Sequence, residues 1–540
     1  MTLLVSKQKW PPALIKKGIA AIISGLFAAF TPPGLNAQTA PAGGAQKAAL
    51  PLLGDGSAMA SADERRLGDR IARELYRDPD YLDDPVLADY VQGVWQPLLA
   101  AARTRGDLSG ELDERFAWQI LLGRDRSVNA FALPGGYLGV HLGLLAVVSN
   151  RDELASVLGH ELSHVTQRHI SRLISRESQQ TPWVIGAMIL GMLAASKSVE
   201  AGNALMVGGQ ALAAQGQLNF SRDMEREADR IGFGVMTQAG FAPQGFVTMF
   251  DKLQQAARLN DAGAFPYLRS HPLTTERIAD MQSRLPLGAP HAPTPEPTVL
   301  HTLMTTRAKV LSNTSADALR SWQAQAQDSA LATQSPARQA GVWYGATLAA
   351  LRLRDVAAAR SHLNHLQAAV HDVPEAAASV RWLAAEMDLT ARDRSRMQVR
   401  ALADGFAAAA INTQPASWRR PELLLQAQAA HQANLPEALA AAVQRLQTWL
   451  AQQPQDALAW QWLASLYAAQ DQSLRALRAE AEAQAARLDY TGALDRLKAA
   501  QDRIKASGGA NSSADLIDAS IIDTRVRQLQ ALVREQVAAR

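Results

Sequence analysis

The sequence predicts a mainly α-helical protein with a small β-sheet in its first half and an all-α half of paired helices behind it. Three observations carry that expectation. Alanine is abundant among the 540 residues while aromatics reach only 6%, a balance that favours helix over sheet. Only the stretch 116–148 alternates in the manner of strands; elsewhere apolar residues recur at helical spacing. Trp460-x-x-Leu463-Ala464-x-x-Tyr467, followed by Ala476 and Ala483, has the spacing of a tetratricopeptide repeat, with Ala464 where glycine is usual.

Residues 1–37 have the form of a cleaved secretory signal. A basic stretch ends at Lys17, an apolar run covers Ile19 to Phe30, and small residues cluster near Ala37. The run is shorter than the roughly 20 residues a membrane-spanning helix needs. This segment also holds Lys7, Lys9, Lys16 and Lys17 and no acid. Removing those four charges takes the formal +3 to about −1. No basic block then remains to attract nucleic acid. The chain has no cysteine, which excludes a disulfide framework, a thiol nucleophile and thiolate metal ligands.

Residues 38–60 read as a flexible leader. A helix begins near Ala62, with Leu67, Ile71 and Leu75 on one face. A second covers Pro85 to Arg103. Strands follow in FAWQILLG and SVNAFALP, broken at Gly123 and at Pro134-Gly135-Gly136, and YLGVHLGLL completes a hairpin. Asn150 offers a helix cap that Glu153 can answer. The apolar stretch 183–195 is too short to span a bilayer and reads as a core helix, with a peripheral membrane contact as the alternative. Another helix runs from Ser221 to Ala239. Five prolines in 286–298 exclude helix. The expected division is therefore a first domain over 61–285, a Pro-rich linker over 286–299 and a helical-repeat domain over 300–540.

The chemistry is concentrated in the first domain. His160-Glu161-Leu162-Ser163-His164 is an H-E-x-x-H motif inside a segment that is helical on independent grounds. Residues four apart share a helix face, so both imidazoles can bind one zinc ion while Glu161 reaches a water without being a ligand. A catalytic zinc needs a third protein ligand. Ser221-Arg222-x-x-Glu225-x-x-Ala228-Asp229 supplies one: Glu225 can ligate, and Asp229, one turn on, can accept a hydrogen bond from a ligand histidine. Glu227 falls on the opposite face and reads as solvated. His141 and His169 read as structural.

H-E-x-x-H followed about 60 residues later by S-R-x-x-E-x-x-A-D resembles the CAAX-protease/HtpX/Oma-type family of zinc metallopeptidases, a gluzincin group. The resemblance implies an α+β zincin-like domain with one Zn2+, ligands His160, His164 and Glu225, and Glu161 as general base. Among exported members with C-terminal tetratricopeptide repeats, a loop histidine can take the fourth metal position at rest. Ser270-His271-Pro272-Leu273 fits that loop, Pro272 drives His271 out of helical geometry, and Arg277 matches an arginine of the same loop. Such peptidases bind substrate as an added strand beside the metal. Asn129-Ala130-Phe131-Ala132 or Gly139-Val140-His141 can supply the edge.

The function expected from this resemblance is a periplasmic zinc endopeptidase, self-inhibited at rest, acting on unfolded or misassembled envelope proteins in concert with the β-barrel assembly machinery. The alternative is a repeat-based chaperone or adaptor whose zinc domain is structural. An intramembrane protease is disfavoured because no segment reaches spanning length.

Overall fold

A computed structural model describes residues 59–176, 221–258, 265–285, 296–391, 396–411, 418–506 and 513–538. The signal, nearly all of the leader, the apolar stretch 183–195 and most of the proline-rich linker lie outside them. Among the described residues, no helix is long and apolar enough to cross a membrane.

The first described helix, Ser61–Arg77, buries Leu67 and Ile71. Its Gly68 lies against the chain at Pro134: a Cβ there would stand 2.0 Å from the Pro134 carbonyl oxygen. Helix Pro85–Arg105 starts with proline in its first turn, and the Asp84 carboxylate accepts the Leu87 N–H, the usual device for satisfying free amides at a helix start. Val86, Leu87, Val94, Trp95, Leu98 and Leu99 are all buried on it.

The sheet has four strands, β1 (Tyr81–Leu82), β2 (Gln119–Gly123), β3 (Ala130–Leu133) and β4 (Tyr137–His141), in the order β1-β2-β4-β3. β3 and β4 form the expected hairpin, turning through Pro134–Gly136, where Gly135 and Gly136 have φ of 73° and 85°, a conformation only glycine adopts freely. β2 runs parallel to β4, and the two-residue β1 pairs antiparallel with β2. Two sequence expectations need correction. The third apolar run stops being a strand at His141, because Leu142–Val147 turns into a short helix. Gly139 and Val140 are not at an edge: Gly139 faces Leu121 on one side and Phe131 on the other, and Val140 faces Leu122 and Ala130. With both flanks of β4 paired, β3 is the edge strand on this side of the sheet among the described residues.

Helix Arg151–Thr166 packs on β3. Asn150 caps it by accepting the Glu153 N–H at 2.9 Å, and the Glu153 carboxylate returns to the Ser149 N–H at 2.6 Å, one residue before the cap. Helix Arg222–Gln238 lies against it, capped by Ser221.

From Val299 onward the described chain is helical, with close pairs such as Pro336–Arg352 with Val356–Ala369, and Ala457–Ala469 with Ser473–Ala486. Leu463, Ala464, Tyr467, Ala476 and Ala483 are buried in the last of these pairs. One apolar core runs without a break from Val86 to Ala433, across the proline-rich boundary. Polar ties cross it too. Tyr90 Oη lies 2.6 Å from His301 Nδ1, and His301 Nε2 donates to the Val148 carbonyl at 2.9 Å. Arg307 forks onto Asp84 at 2.9 and 2.8 Å, and Arg420 onto Asp83 at 2.7 and 2.9 Å.

Candidate metal centre

Two helices build the site. Gly159 and Gly232 face each other where helices Arg151–Thr166 and Arg222–Gln238 meet, with no side chain between them. That close approach brings Glu225 and Asp229, on the turns before Gly232, alongside His160 and His164. Ligand atoms of His160, His164, Glu225 and His271 lie within 4.8 Å of one another on fully buried residues. No other such group was found among the described residues.

The arrangement sets the tautomers. His160 Nδ1 lies 2.8 Å from Asp229 Oδ1; a carboxylate only accepts, so Nδ1 carries the proton and Nε2 offers a lone pair. That Nε2 stands 2.9 Å from His164 Nε2, 3.3 Å from His271 Nδ1 and 3.6 Å from Glu225 Oε2. His271 Nδ1 is 3.0 Å from Glu225 Oε1. Converging imidazole nitrogens repel as bare lone pairs, and a cation among them removes the repulsion. Neutral imidazoles with a carboxylate are a donor set suited to zinc. Burial, helped by the neighbouring imidazoles, holds His164 well below the ordinary histidine range, which leaves its nitrogen available to a metal.

Arg277 supports the centre from behind. It donates through Nε and Nη2 to Asp229 at 2.6 and 2.8 Å, and its Nη1 donates to the Pro272 carbonyl at 2.9 Å and lies 2.7 Å from Glu225 Oε2. Burial works against ionising Asp229 and Glu225. Arg277 with His160 at Asp229, and His271 first among the cations at Glu225, outweigh it and keep both carboxyls below the usual range. His271 has φ −124° and ψ 76°, outside helix, as Pro272 predicts. Burial lowers its pKa, but Glu225 and Glu161 together raise it above the ordinary value.

Glu161 is fully buried, and among the described residues neither carboxylate oxygen has a partner in hydrogen-bonding geometry. Its nearest cation is His271, with Nε2 3.5 Å away. Burial raises its pKa. A buried carboxyl of this kind, held beside a metal donor set with only a distant imidazole as counter-charge, is a candidate proton acceptor.

The edge strand stands next to this group: helix Arg151–Thr166 packs on β3, and the Ala132 backbone N–H faces Glu161. Ala130 and Phe131 lie on β3, while Asn129 flanks it and its carbonyl accepts the His141 N–H. The Tyr267 N–H donates to the Val128 carbonyl at 3.4 Å, and the Tyr267 ring stacks on His271 with centroids 4.7 Å apart. Tyr267 was not among the sequence-derived candidates; an aromatic four residues before the loop histidine was the available signal.

One further residue differs from expectation. Glu227 is not simply solvated: its Oε2 lies 3.0 Å from His169 Nε2 and accepts from Arg172 Nη1 at 2.8 Å. His169 in turn sits under His164, the two Nδ1 atoms 2.8 Å apart. Burial, opposed by Glu227, pushes His169 down to about 4. His141 stays with the sheet, its Nδ1 2.9 Å from Ser127 Oγ.

A buried two-histidine, one-carboxylate donor set beside a buried glutamate is the arrangement of a metallopeptidase centre. Comparison with known proteins gives the same class: residues 101–285 match the model of Peptidase family M48. That segment is similar to the zinc metallopeptidase domains of this family, and its buried donor group could hold one metal ion. The chain is 33% identical over 253 residues to the beta-barrel assembly-enhancing protease of Escherichia coli (strain K12), covering 46% of this chain and 49% of that one. It is 33% identical to the protein of the same name in Yersinia pestis, over 45% and 48% of the two chains. It is 27% identical over 201 residues to the mitochondrial metalloendopeptidase OMA1 of Saccharomyces cerevisiae, over 36% and 55%. The chain thus spans about half the length of the bacterial relatives it matches.

Proposed function

We propose that the protein is a periplasmic zinc-dependent endopeptidase that acts on unfolded or misassembled outer-membrane proteins. In this reading a metallopeptidase domain over 61–285 is joined to a tetratricopeptide-type repeat domain over 300–540. The observation that carries it is the fully buried Glu161 carboxyl, 3.5 Å from His271 Nε2, beside the ligand atoms of His160, His164 and Glu225. The relatives' printed names favour barrel assembly as the setting. The signal-like segment 1–37 favours export.

His160, His164 and Glu225 would hold the metal. Zinc, when bound there, supplies Lewis acidity to the peptide carbonyl and acidifies water. Asp229 and Arg277 keep the His160 ring and the Glu225 carboxylate aimed at one point. Glu161 takes a proton from the attacking water on a carboxylate oxygen and passes it to the departing amine nitrogen, so the carboxylate is regenerated. Its raised pKa suits a group that must both accept and return a proton. Extended substrate pairs with the outer edge of β3 at Asn129, Ala130 and Phe131. The repeat half recruits protein substrates or the β-barrel assembly machinery through a helical surface.

His271 occupies the position a substrate must take, so the resting enzyme is self-inhibited and opens when the 265–273 loop leaves. The test is cleavage of an unfolded outer-membrane β-barrel protein by the zinc-loaded full chain, its Glu161→Gln variant and its His271→Ala variant. Equal cleavage by wild type and Glu161→Gln, or a chain that binds no zinc, would return the repeat-based chaperone or adaptor. Faster cleavage by His271→Ala supports the closed resting state, and equal rates remove it.

A further inference from the structure

The centre has two outer arms, and the enzymatic reading uses only one of them. The first runs from His160 through Asp229 to Arg277. The second runs from His164 Nδ1 to His169 Nδ1 at 2.8 Å, from His169 Nε2 to Glu227 Oε2 at 3.0 Å, and ends on Arg172 Nη1, 2.8 Å from the same oxygen. Each arm finishes on an arginine-paired carboxylate.

We infer that His169 is a positioning residue for the metal ligand His164, with Glu227 setting its tautomer. Donor and acceptor must alternate along the arm. The Glu227 carboxylate only accepts, so His169 donates from Nε2. Neutral His169 then carries its lone pair at Nδ1 and accepts a proton held on His164 Nδ1. His164 Nε2 is left bare and directed at the donor cluster, as a ligand requires. The opposite polarity would place a proton on His164 Nε2, the atom that must be free.

Local structure shows how this arm is built. Arg168 has φ 52°, a left-handed conformation that ends the motif helix. In a continued helix residue 169 would stand about 140° around the axis from His164. The break returns it beneath that ring instead. The Arg168 guanidinium holds the bend by donating to Glu64 Oε2 at 2.9 Å. His169 is completely buried, and the two rings meet nearly edge to face, 4.9 Å between centroids.

This inference rests on the reading of His164 as a zinc ligand, and the experiment separates the two. Zinc affinity of the full chain is measured by competition with a chromophoric chelator for wild type, His169→Phe and His169→Asn. Phenylalanine keeps the ring and removes the acceptor; asparagine restores an acceptor oxygen near the place of Nδ1. The expected result is an affinity about 10–100-fold lower for His169→Phe and largely recovered in His169→Asn. Long-range 1H–15N spectra of zinc-loaded, 15N-histidine-labelled wild type should show His164 protonated at Nδ1 and His169 at Nε2. A folded His169→Phe that binds zinc like wild type overturns the inference, as does an asparagine variant no better than phenylalanine. So does a spectrum with the His169 proton on Nδ1. Should the phenylalanine variant not fold, the wild-type spectrum decides alone. Wild type that binds no zinc sinks the metal reading itself.

Discussion

Gly159 and Gly232 meet backbone to backbone: a Cβ on Gly232 would lie 2.9 Å from the Gly159 carbonyl carbon and from the His160 amide nitrogen. Neither atom can rotate aside, since both belong to the motif helix. A side chain at 232 therefore has to push two helices apart, and Glu225 and Asp229 ride on the one that moves. Gly232→Val is expected to lower stability by about 1–3 kcal/mol and to weaken zinc binding further than that loss alone explains. Urea unfolding and chelator competition on the same preparation compare the two. Unchanged zinc affinity would mean the contact does not set the site.

Arg277 holds Asp229, Glu225 and the Pro272 carbonyl at once through a buried fork. Arg277→Lys keeps the charge but not the planar fork. Zinc affinity should fall by about 10–100-fold in Arg277→Gln and recover little in Arg277→Lys. Full recovery by lysine would show that charge alone matters there.

Zinc removal should lower the melting temperature of the full chain, because the donor atoms converge only in the folded state. Free zinc at 100 times Kd adds about 2.7 kcal/mol to the folded form. Calorimetry with and without chelator reads this directly. Equal transitions in the two conditions count against a preformed site.

Acid should loosen the tie between the first half and the repeat half. Burial opposes ionisation of Asp84, but Arg307 outweighs it and holds this carboxyl below its ordinary value; inside the repeat half, where Arg420 reaches across to Asp83, Arg420 does the same for Asp456. A depressed folded value means that the unfolded chain takes up the proton first. The stabilisation is complete above the unfolded aspartate value of about 3.9 and is lost as pH falls through the lower folded values. Stability should thus drop steeply below about pH 4. Asp84→Asn, which retains a helix cap and leaves Arg307 paired with Glu386 at 2.7 Å, should cost about 1–3 kcal/mol at pH 7 through the lost charge-assisted fork and should flatten that acid limb. Chemical denaturation at pH 7, 5 and 3 compares the slopes, and parallel slopes would refute the assignment.

Much of the site was legible in the chain because its information is local. The i, i+4 spacing within 160–164, Asn150 as a cap, Ser221 before an acid-bearing helix and Pro272 after His271 each act within one or two turns. The second arm was not legible. His169 and Glu227 are 58 residues apart, and neither has a local signal that separates a relay member from an ordinary buried histidine or a surface acid. The two-residue β1 and the insertion of β4 between β2 and β3 were hidden for a related reason. Strand partners are chosen by what packs, and period-2 patterning does not say which flank will be paired.

The sequence by itself determined the helix types, the metal-ligand chemistry and the geometry that Pro272 imposes on His271, since these follow from backbone preferences and residue spacing. Only the tertiary structure decided which strand lies at the sheet edge, that His169 and Glu227 stand behind His164, and that one core continues from Val86 to Ala433. Those outcomes depend on contacts between distant segments, such as the bare meeting of Gly159 and Gly232, and such contacts exist only once the chain has folded.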